Sequence, residues 1–596
     1  MMRVFLSSVL TLMILSSVFA VVPPDDFKIQ RDDFVVRSTL QKTLKRVNAD
    51  GKIWAWVFFT DKGFTALTEY HARLQETERN LTARAKSRRL KARGKYNLVD
   101  FRDIPVYQPY IDQVLSTGAK KRKVLRWFNA VTIEATPQQL HQIARLPFVR
   151  EFKHVSSAKY PSDYIKTKSL DYEPPLINTT LDYGPSLAQL EQINTTVAHE
   201  LGFTGQGILV CMMDTGYRQA HQAFQEAIND GRLIAQYDFI NDDDNTDYDP
   251  EQDVENQPFH GTMTWSTLGG AASGNLYGPA YGAMFCLAKT EDITSEHHIE
   301  EDNWAAGAEW ADSLGADVIS ASLGYRYGFD WPDEDYTYED MNGDSTIVTQ
   351  AADLAAYNGI AVNTAMGNDG DLGSGSLIAP ADGDSVIAIG AVDEDGWIVG
   401  FSALGPTYDG RTKPEVLARG LYTVCAAPWD MYGYWTASGT SLSTPLCGGA
   451  TAVLLSAHPN WTPVMVREAM MMTANNMENP DNTYGWGIID VGQAMYYHPE
   501  GDIVIEHEPL VYFPPGLDNN VINAEIYGGA GIDPDEVYLF WRIDELERII
   551  YLPLISMVFA QPIHSVPLTA SSLYRLPFPS FMIHLKMAFT SGKPAA

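Results

Sequence analysis

The sequence predicts an α/β protein built on a doubly wound parallel sheet. Between about residues 187 and 495, short apolar runs alternate with runs of helical spacing. The first apolar run, GILVCMMD at residues 207–214, is apolar almost throughout, which is typical of a strand buried on both faces of a parallel sheet. In such sheets the functional residues lie at the carboxyl ends of the strands.

The remaining elements of this region follow in order. After the first strand, four more strand-like runs are AMFCLAKTED, ADVISASLG, GIAVNTAMG and SVIAIGAV. Two runs of helical spacing, IEEDNWAAGAEWADSLG and TIVTQAADLAAYNG, lie between them, and each ends in glycine as helices often do. The catalytic or binding domain is therefore predicted over residues 181–498.

The N-terminus has the pattern of a secretory signal. Arg3 precedes an apolar stretch at residues 4–18, and Ala20 occupies the position before the expected cut. The alternative, a membrane anchor, requires a longer apolar span. We predict a signal peptide over residues 1–20 and a secreted product, extracellular or periplasmic, with no membrane partner.

Residues 21–180 are predicted to form a small α+β unit followed by a linker. KIWAWVFFT at residues 52–60 is rich in aromatic and β-branched residues and predicts a buried strand. A charged helical stretch follows from about residue 65 to 95. AVTIEATPQQLHQIARLPFVREFKHV predicts strand, helix and strand, with Thr136 as the N-cap and Pro137 at the first helical position. The Pro-, Tyr- and Ser-rich residues 156–185 predict a linker.

Charge is distributed unevenly over a chain whose net charge is −32. Residues 21–170 contain 29 Lys and Arg against 15 Asp and Glu, whereas all 60 of the remaining Asp and Glu lie beyond residue 170. A basic block of this kind binds nucleic acid or a membrane surface, or it binds an acidic partner on its own chain. Opposite fields within one polypeptide favour the second interpretation, so no nucleic-acid partner is expected.

The four cysteines, Cys211, Cys286, Cys425 and Cys447, are too few for a disulfide framework in 596 residues. Each lies in an apolar or small-residue segment, which favours buried thiols, and one disulfide is the alternative.

Three polar residues sit where the chemistry of such a sheet is expected. Asp214 ends the first strand, His260 stands in FHGTMTWSTLGG at the start of a helix, and Ser441 stands where SGTS leads into LSTPLCGGATAVLL. Each has an ordinary structural explanation on its own: a turn former, a structural histidine and an N-cap. Together they supply what acyl transfer by serine requires, a hydroxyl, a base and a carboxylate that orients the base.

The motifs around these residues resemble the signature blocks of subtilisin-like serine proteases, the subtilases. These are MMDTG, FHGT, ISASLGY and SGTSLSTP, with further similarity in GRTKPEVLARG and YGWGIIDVGQAM, over about residues 187–495. The order Asp, His, Ser is the one that the subtilisin triad follows.

The resemblance implies a role for each matching residue. Ser441 would be the nucleophile, His260 the general base and acid, and Asp214 the orienting carboxylate. Asn368, in NTAMGNDG, would donate to the oxyanion, with the Ser441 backbone N–H as second donor. Three consecutive residues of the ISASLGY block would bind the extended substrate by strand addition. They are Ser322, Leu323 and Gly324.

The resemblance also implies an activity for the protein and a role for its N-terminal residues. We expect a secreted serine endopeptidase that hydrolyses peptide bonds through an acyl-enzyme and is made as an inhibited precursor. Residues 21–180 would be the prosegment, acting as an intramolecular inhibitor of a protease whose substrates are proteins or peptides. The alternatives are a catalytically inactive subtilase fold used for binding, and a sedolisin-type carboxyl protease, which lacks the DTG and HGT pair.

Several features depart from the family pattern or lie outside it. Met263, Thr264 and Trp265 stand where a second histidine and small residues are usual, and Arg419 replaces a usual proline. The chemistry requires no cofactor. The acidic loop YDFINDDDNTDYDPEQDVENQPFHG and residues 333–346 are candidates for structural calcium, with a solvated acidic loop as the alternative. Residues 499–548 predict a small β-rich appendage, and residues 549–596 a tail of unknown role.

Overall fold

The computed structural model describes residues 28–155, 181–294, 300–327 and 335–499, and the backbone of six strands between residues 503 and 585. The predicted signal peptide and most of the predicted linker lie outside the described residues. The chain divides into two compact units. Unit 1 comprises residues up to 81 and 99–155, and unit 2 comprises residues 82–98 and those from 156 onward.

Unit 1 is a four-stranded antiparallel sheet with helices, in the strand order β2-β3-β1-β4. Its strands are β1 (Ile53–Phe59), β2 (Lys120–Leu125), β3 (Ala130–Ala135) and β4 (Val149–His154). Its helices are α1 (Asp33–Thr43), α2 (Leu67–Asn80), α4 (Gln108–Leu115) and α5 (Pro137–Ile143). Thr136 caps α5 as predicted, and its hydroxyl accepts a hydrogen bond from the Gln139 N–H.

The predicted helical stretch from about residue 65 to 95 is helical, and it consists of two helices. The second, α3 (Ala83–Arg93), begins after Thr82, whose hydroxyl accepts from the Ala85 N–H at 3.1 Å. Leu81 between the helices is extended, so the helix cannot continue through it. Helix α2 belongs to unit 1 and α3 to unit 2.

Unit 2 is built on a seven-stranded sheet in which every neighbouring pair is parallel, in the order β13-β12-β11-β10-β5-β9-β6. Its strands are β5 (Leu209–Asp214), β6 (Leu233–Asp238), β9 (Met284–Lys289), β10 (Val318–Ala321), β11 (Ala361–Ala365), β12 (Ile387–Val392) and β13 (Val416–Arg419). The five predicted strands are confirmed. The predictions omitted β6, whose residues are only partly buried at the sheet edge, and did not assign β13 as a strand.

Helices and two hairpins surround this sheet. The helices are α6 (Leu187–Gln192), α7 (Thr195–Glu200), α8 (Gln225–Asn229), α9 (Phe259–Gly269), α10 (Glu300–Leu314), α11 (Ile347–Tyr357), α12 (Thr440–Ala457), α13 (Pro463–Met472) and α14 (Val491–Ala494). The hairpins are β7 (Ala271–Ala272) with β8 (Leu276–Tyr277), and β14 (Thr423–Ala426) with β15 (Tyr434–Ala437). Helix α12 packs on the central strands and on α9, and α10 packs on α11.

Two glycines allow α12 to pack closely on its neighbours, Gly448 against strand β10 and Gly449 against the Pro279 segment before β9. A Cβ on Gly448 would lie 3.0 Å from the Ser320 hydroxyl, and one on Gly449 would lie 2.9 Å from the Pro279 Cβ. All four cysteines are buried and free. In the described part of the chain, no helix is long and apolar enough to cross a membrane.

Beyond residue 499 the described backbone consists of strands in two three-stranded sheets. They are β16 (Ile503–His507), β17 (Val521–Gly528), β18 (Tyr538–Ile543), β19 (Leu546–Pro553), β20 (Ser565–Ser571) and β21 (Phe581–Leu585). Strand β20 pairs with β17, and β21 with β18, so residues of the predicted tail also take part in sheets.

Candidate functional site

The predicted acid and base residues meet at the carboxyl end of the sheet. Asp214 is the last residue of β5, and His260 is the second residue of α9. His260 Nδ1 lies 2.7 Å from Asp214 Oδ1, and both side chains are buried. Because Oδ1 is an acceptor, we assign the proton to Nδ1, which leaves Nε2 as the basic nitrogen of the ring.

Two threonines hold the Asp214 carboxylate. The Thr215 N–H donates to Oδ1 at 2.7 Å, and the Thr264 hydroxyl donates to Oδ2 at 2.9 Å. Thr264 lies one helical turn after His260 and was singled out in the sequence only as a departure from the family pattern. Its contribution depends on α9 packing against the end of β5, which local sequence does not reveal.

Burial determines the ionisation of this pair. Desolvation raises the pKa of Asp214 to about 7, opposed by the hydrogen bonds from Thr215 and Thr264, and it lowers the pKa of His260 to about 3. Both shifts disfavour an imidazolium–carboxylate ion pair at rest. We therefore assign a neutral imidazole, which is the form that can accept a proton.

Ser441 is the second residue of α12, and Gly439, with φ 151°, is the N-cap. The serine hydroxyl therefore does not cap the helix. It donates to the Ser322 carbonyl at 3.4 Å, and the Ser322 hydroxyl donates to the Ser441 carbonyl at 2.9 Å. The neighbouring hydroxyls are engaged elsewhere, since Ser438 accepts from the Tyr422 N–H and Ser443 donates to the Thr440 carbonyl.

Asn368 follows β11 and is fixed in orientation by the start of α12. Its Oδ1 accepts from the Thr440 N–H at 2.9 Å and from the Thr440 hydroxyl at 3.0 Å. The amide Nδ2 is then the group left to donate. Asn368 and Ser441 line one cavity together with the three predicted substrate-binding residues, Ser322, Leu323 and Gly324.

Glu291 lines the same cavity, and the sequence analysis did not select it. It follows β9 by two residues, and the Tyr325 hydroxyl donates to its Oε2 at 3.0 Å. Burial raises the pKa of Glu291 to about 8. The one signal in the sequence was a carboxylate just after a strand end, which many turns also show.

The departures from the family pattern are accommodated by packing. Met263 lies in a small apolar cluster with Cys425, and the Trp265 ring stacks on Phe224 at 3.8 Å between centroids. Arg419 at the end of β13 forms an ion pair with Glu394 at 3.2 Å. None of these side chains replaces a group of the site.

In the acidic loop before His260, two of the nine carboxylates are paired with Lys289. The Lys289 ammonium lies 2.8 Å from Asp238 and 2.5 Å from Asp253, and all three side chains are buried. In the second candidate loop, Asn342 Oδ1 accepts from the backbone N–H of Asp344 and Ser345. The described residues contain no group of three His, Cys, Asp or Glu side chains that could hold a metal ion.

Two parts of the chain match known protein families. Residues 205–487 match the subtilase family, and residues 54–169 match the peptidase S8 propeptide domain of Bacteroidota. These ranges include the site and most of unit 1.

Two relatives by sequence agree with this, and one solved structure is similar over part of the chain. Subtilisin NAT of Bacillus subtilis subsp. natto is 31% identical over 356 residues, which cover 58% of this chain and 82% of that protein. The halolysin-like extracellular serine protease Nep of Natrialba magadii is 26% identical, covering 68% of this chain and 69% of that one. A solved protease structure from Pseudoalteromonas arctica is 21% identical with a TM-score of 0.43, covering 53% of this chain and 99% of that one. The seven-stranded parallel sheet, the propeptide domain and the likeness to subtilisins together place this chain in the subtilase family, as a serine endopeptidase made with a propeptide.

Proposed function

We propose that Asp214, His260 and Ser441 form the catalytic triad of this protease, with Asn368 as an oxyanion donor. The observation that carries the proposal is the buried 2.7 Å contact between His260 Nδ1 and Asp214 Oδ1. It is supported by the cavity that Ser441 and Asn368 share.

The chemistry follows from these positions. Ser441 Oγ attacks the carbonyl carbon of the scissile peptide bond while His260 Nε2 takes the hydroxyl proton. Asp214 stabilises the imidazolium formed, and the Asn368 Nδ2 and the Ser441 backbone N–H donate to the oxyanion. His260 then gives its proton to the departing amine, which leaves an acyl-enzyme. A water molecule, deprotonated by His260, hydrolyses that ester and restores Ser441.

The remaining parts of the chain fit a protease that acts outside the cytoplasm. We infer that residues 1–20 direct export, that the protein is secreted, and that the prosegment inhibits the catalytic unit until the linker is cut. The substrate backbone lies along Ser322, Leu323 and Gly324. Gly324 is needed there because a Cβ would lie 2.2 Å from the Ile378 Cδ1.

A covalent serine reagent tests the proposal. A fluorophosphonate should label the processed protein at Ser441, and Ser441→Ala should remove both the label and peptide hydrolysis. Asn368→Ala should retain the label but lower kcat by roughly 100-fold or more, because one oxyanion donor is lost. Processed protein that takes no label would instead support an inactive fold used for binding.

A further inference from the structure

A basic helix from within the propeptide match is part of unit 2, although the chain on both sides of it belongs to unit 1. The segment is residues 82–98, and its helix α3 carries six Lys and Arg in eleven residues, with the sequence ARAKSRRLKAR. Helix α3 packs on α10.

Two arginines of α3 are buried against a single carboxylate. The side chains of Arg88, Arg89 and Asp312 are each 1% exposed. Arg88 Nη2 pairs with Asp312 Oδ1, and Arg89 Nη2 lies 2.6 Å from Oδ2. Burying such charges is costly unless they are paired and hydrogen-bonded. Each oxygen of the Asp312 carboxylate is paired with one guanidinium group.

The Arg88 guanidinium also donates hydrogen bonds to two backbone carbonyls. Its Nε donates to the Asn358 carbonyl at 3.0 Å, and its Nη1 donates to the Ala316 carbonyl. Asn358 is the C-cap of α11, and Ala316 lies two residues after the end of α10. The carboxyl ends of helices carry partial negative charge, so a basic helix is stabilised there.

The surface of unit 2 leaves space for α3 at two glycines. A Cβ on Gly315, where φ is +87°, would lie 2.5 Å from the Arg84 Cβ. A Cβ on Gly359, where φ is +93°, would lie 3.0 Å from the Ala92 Cβ and 3.1 Å from the Arg88 Cγ. At the rim, Arg84 pairs with Asp317 and Arg93 donates to the Asn358 side chain at 2.7 Å.

This arginine site lies at the amino ends of the strands, whereas the catalytic residues lie at their carboxyl ends. Asp317 directly precedes β10, and the Gly207 carbonyl, which accepts from Arg84 at 3.0 Å, lies before β5. Asp214 ends β5 and Ser322 follows β10, so a strand separates the two places in each case. Six residues of strand span about 20 Å. Helix α3 thus binds without lining the cavity of Ser441.

We propose that Asp312, Asp317 and the carbonyls of Ala316 and Asn358 form a second binding site on the catalytic unit, whose ligand is the arginine-bearing helix α3. The proposal rests on the proposed function, in which the linker is cut during maturation. The site keeps the cut prosegment attached independently of the substrate cleft, so maturation requires release at this site as well as cleavage.

The test uses the full chain with Ser441→Ala, so that no catalysis is needed. A site for a specific protease is inserted within residues 156–180, the chain is cut there, and the dissociation constant of the N-terminal fragment is measured by gel filtration and surface binding. With the native arginines the fragment should remain bound. Arg88→Met with Arg89→Met should raise the dissociation constant by roughly 100- to 1,000-fold, because Asp312 stays buried without them.

A matched control removes the same charge elsewhere. Arg73→Met with Arg79→Met changes two exposed arginines of α2 and should leave the dissociation constant within about threefold of the starting value, as surface charges contribute little. If the Arg88 and Arg89 variant does not fold, Arg84→Met at the rim should raise the constant by roughly 10-fold.

Salt separates this site from general attraction between basic and acidic surfaces. Buried pairs are screened little, so the fragment should stay bound in 1 M NaCl. Release in 1 M NaCl, or equal affinities for the two double variants, would overturn the proposal. Failure of the fluorophosphonate test would instead overturn the triad and leave this binding result unaffected.

Discussion

At the scale of single residues, the most consequential feature is the way the Asp214 carboxylate is held. Its two oxygens accept from three side-chain or backbone donors, His260, Thr215 and Thr264, and the carboxylate is buried. Hydrogen bonds to a charged group are worth about 1.5–3 kcal/mol, and an orienting carboxylate must keep its charge to stabilise an imidazolium. Thr264 is thus a positioning residue that acts through Asp214.

Thr264→Val should lower kcat by roughly 10-fold and leave KM nearly unchanged, because the substrate cleft is untouched while one hydrogen bond to Oδ2 is lost. Steady-state kinetics on a peptide substrate measure both constants. Thr264→Ser keeps the hydroxyl and should restore most of kcat. Equal losses in the two variants would show that packing, and not the hydrogen bond, is responsible.

Glu291 makes the stability of the protein depend on pH. Its pKa rises from 4.5 to about 8 on folding, so the folded state binds the proton more tightly than the unfolded state. The resulting stability is fully present below pH 4.5 and is lost as pH rises to about 8, by up to about 1.4 kcal/mol per pH unit.

Glu291→Gln should flatten this dependence, since glutamine keeps an acceptor for Tyr325 and cannot ionise. The melting temperature of Ser441→Ala protein, with and without Glu291→Gln, is compared between pH 5 and 8.5. Asp214 titrates in the same direction in both proteins, so the difference isolates Glu291. Parallel curves would contradict the prediction.

The site residues divide into those that sequence could predict and those it could not. Asp214, His260, Ser441 and Asn368 lie within short motifs directly after strands or at helix starts, where local pattern carries the information. Thr264 lies in α9 with His260, and Glu291 lies just after β9, but both act through contacts with other elements: Thr264 with the end of β5, and Glu291 with Tyr325 after β10. Such contacts form only when the chain has folded, so no local pattern predicts them.

At the scale of elements, α9 approaches β5 so closely that only glycine fits after His260. A Cβ on Gly261 would lie 2.2 Å from the Gly216 carbonyl and 3.1 Å from the Asp214 Cβ. The closeness of this helix is what allows His260 to reach the carboxylate. The boundary between α2 and α3 is an element-level feature that composition does not reveal. The residues on both sides of it have helical composition, but the helix is interrupted at residues 81–82, where Thr82 caps the start of α3.

Gly261→Ala should destabilise the protein by roughly 1–3 kcal/mol and reduce activity, since the helix must move away from β5. Gly400→Ala is the matched control, because a Cβ there meets nothing within 4 Å. Thermal melting in the Ser441→Ala background measures stability, and peptide hydrolysis measures activity. Unchanged melting of Gly261→Ala would contradict the close approach.

At the scale of the whole molecule, the sequence divides into a basic N-terminal part and an acidic remainder. The boundary between the two structural units does not coincide with this division in charge. Residues 82–98 are basic by composition but belong to the acidic unit. Charge counted along the chain separates the basic residues 21–170 from the acidic remainder. It could not show which part of the prosegment enters the other unit, because that depends on Asp312 and on helix ends more than 200 residues away.

The mature protein should begin between residues 156 and 190, where the predicted linker joins the two units. N-terminal sequencing of processed protein gives the position directly. Ser441→Ala should remain uncut if the chain processes itself, which is the control. A mature form that begins near Val21 would contradict a removable prosegment.

The four buried free thiols lie in different parts of unit 2, and each can report local unfolding of the segment around it. Cys211 and Cys286 face each other at one register of β5 and β9, Cys425 lies in the β14 hairpin, and Cys447 lies in α12 behind Ser441. Burial raises the pKa of the Cys286, Cys425 and Cys447 thiols, so a maleimide reacts only when the surrounding segment opens. The order in which the cysteines react would therefore trace which part of the sheet and its helices unfolds first, without any engineered label.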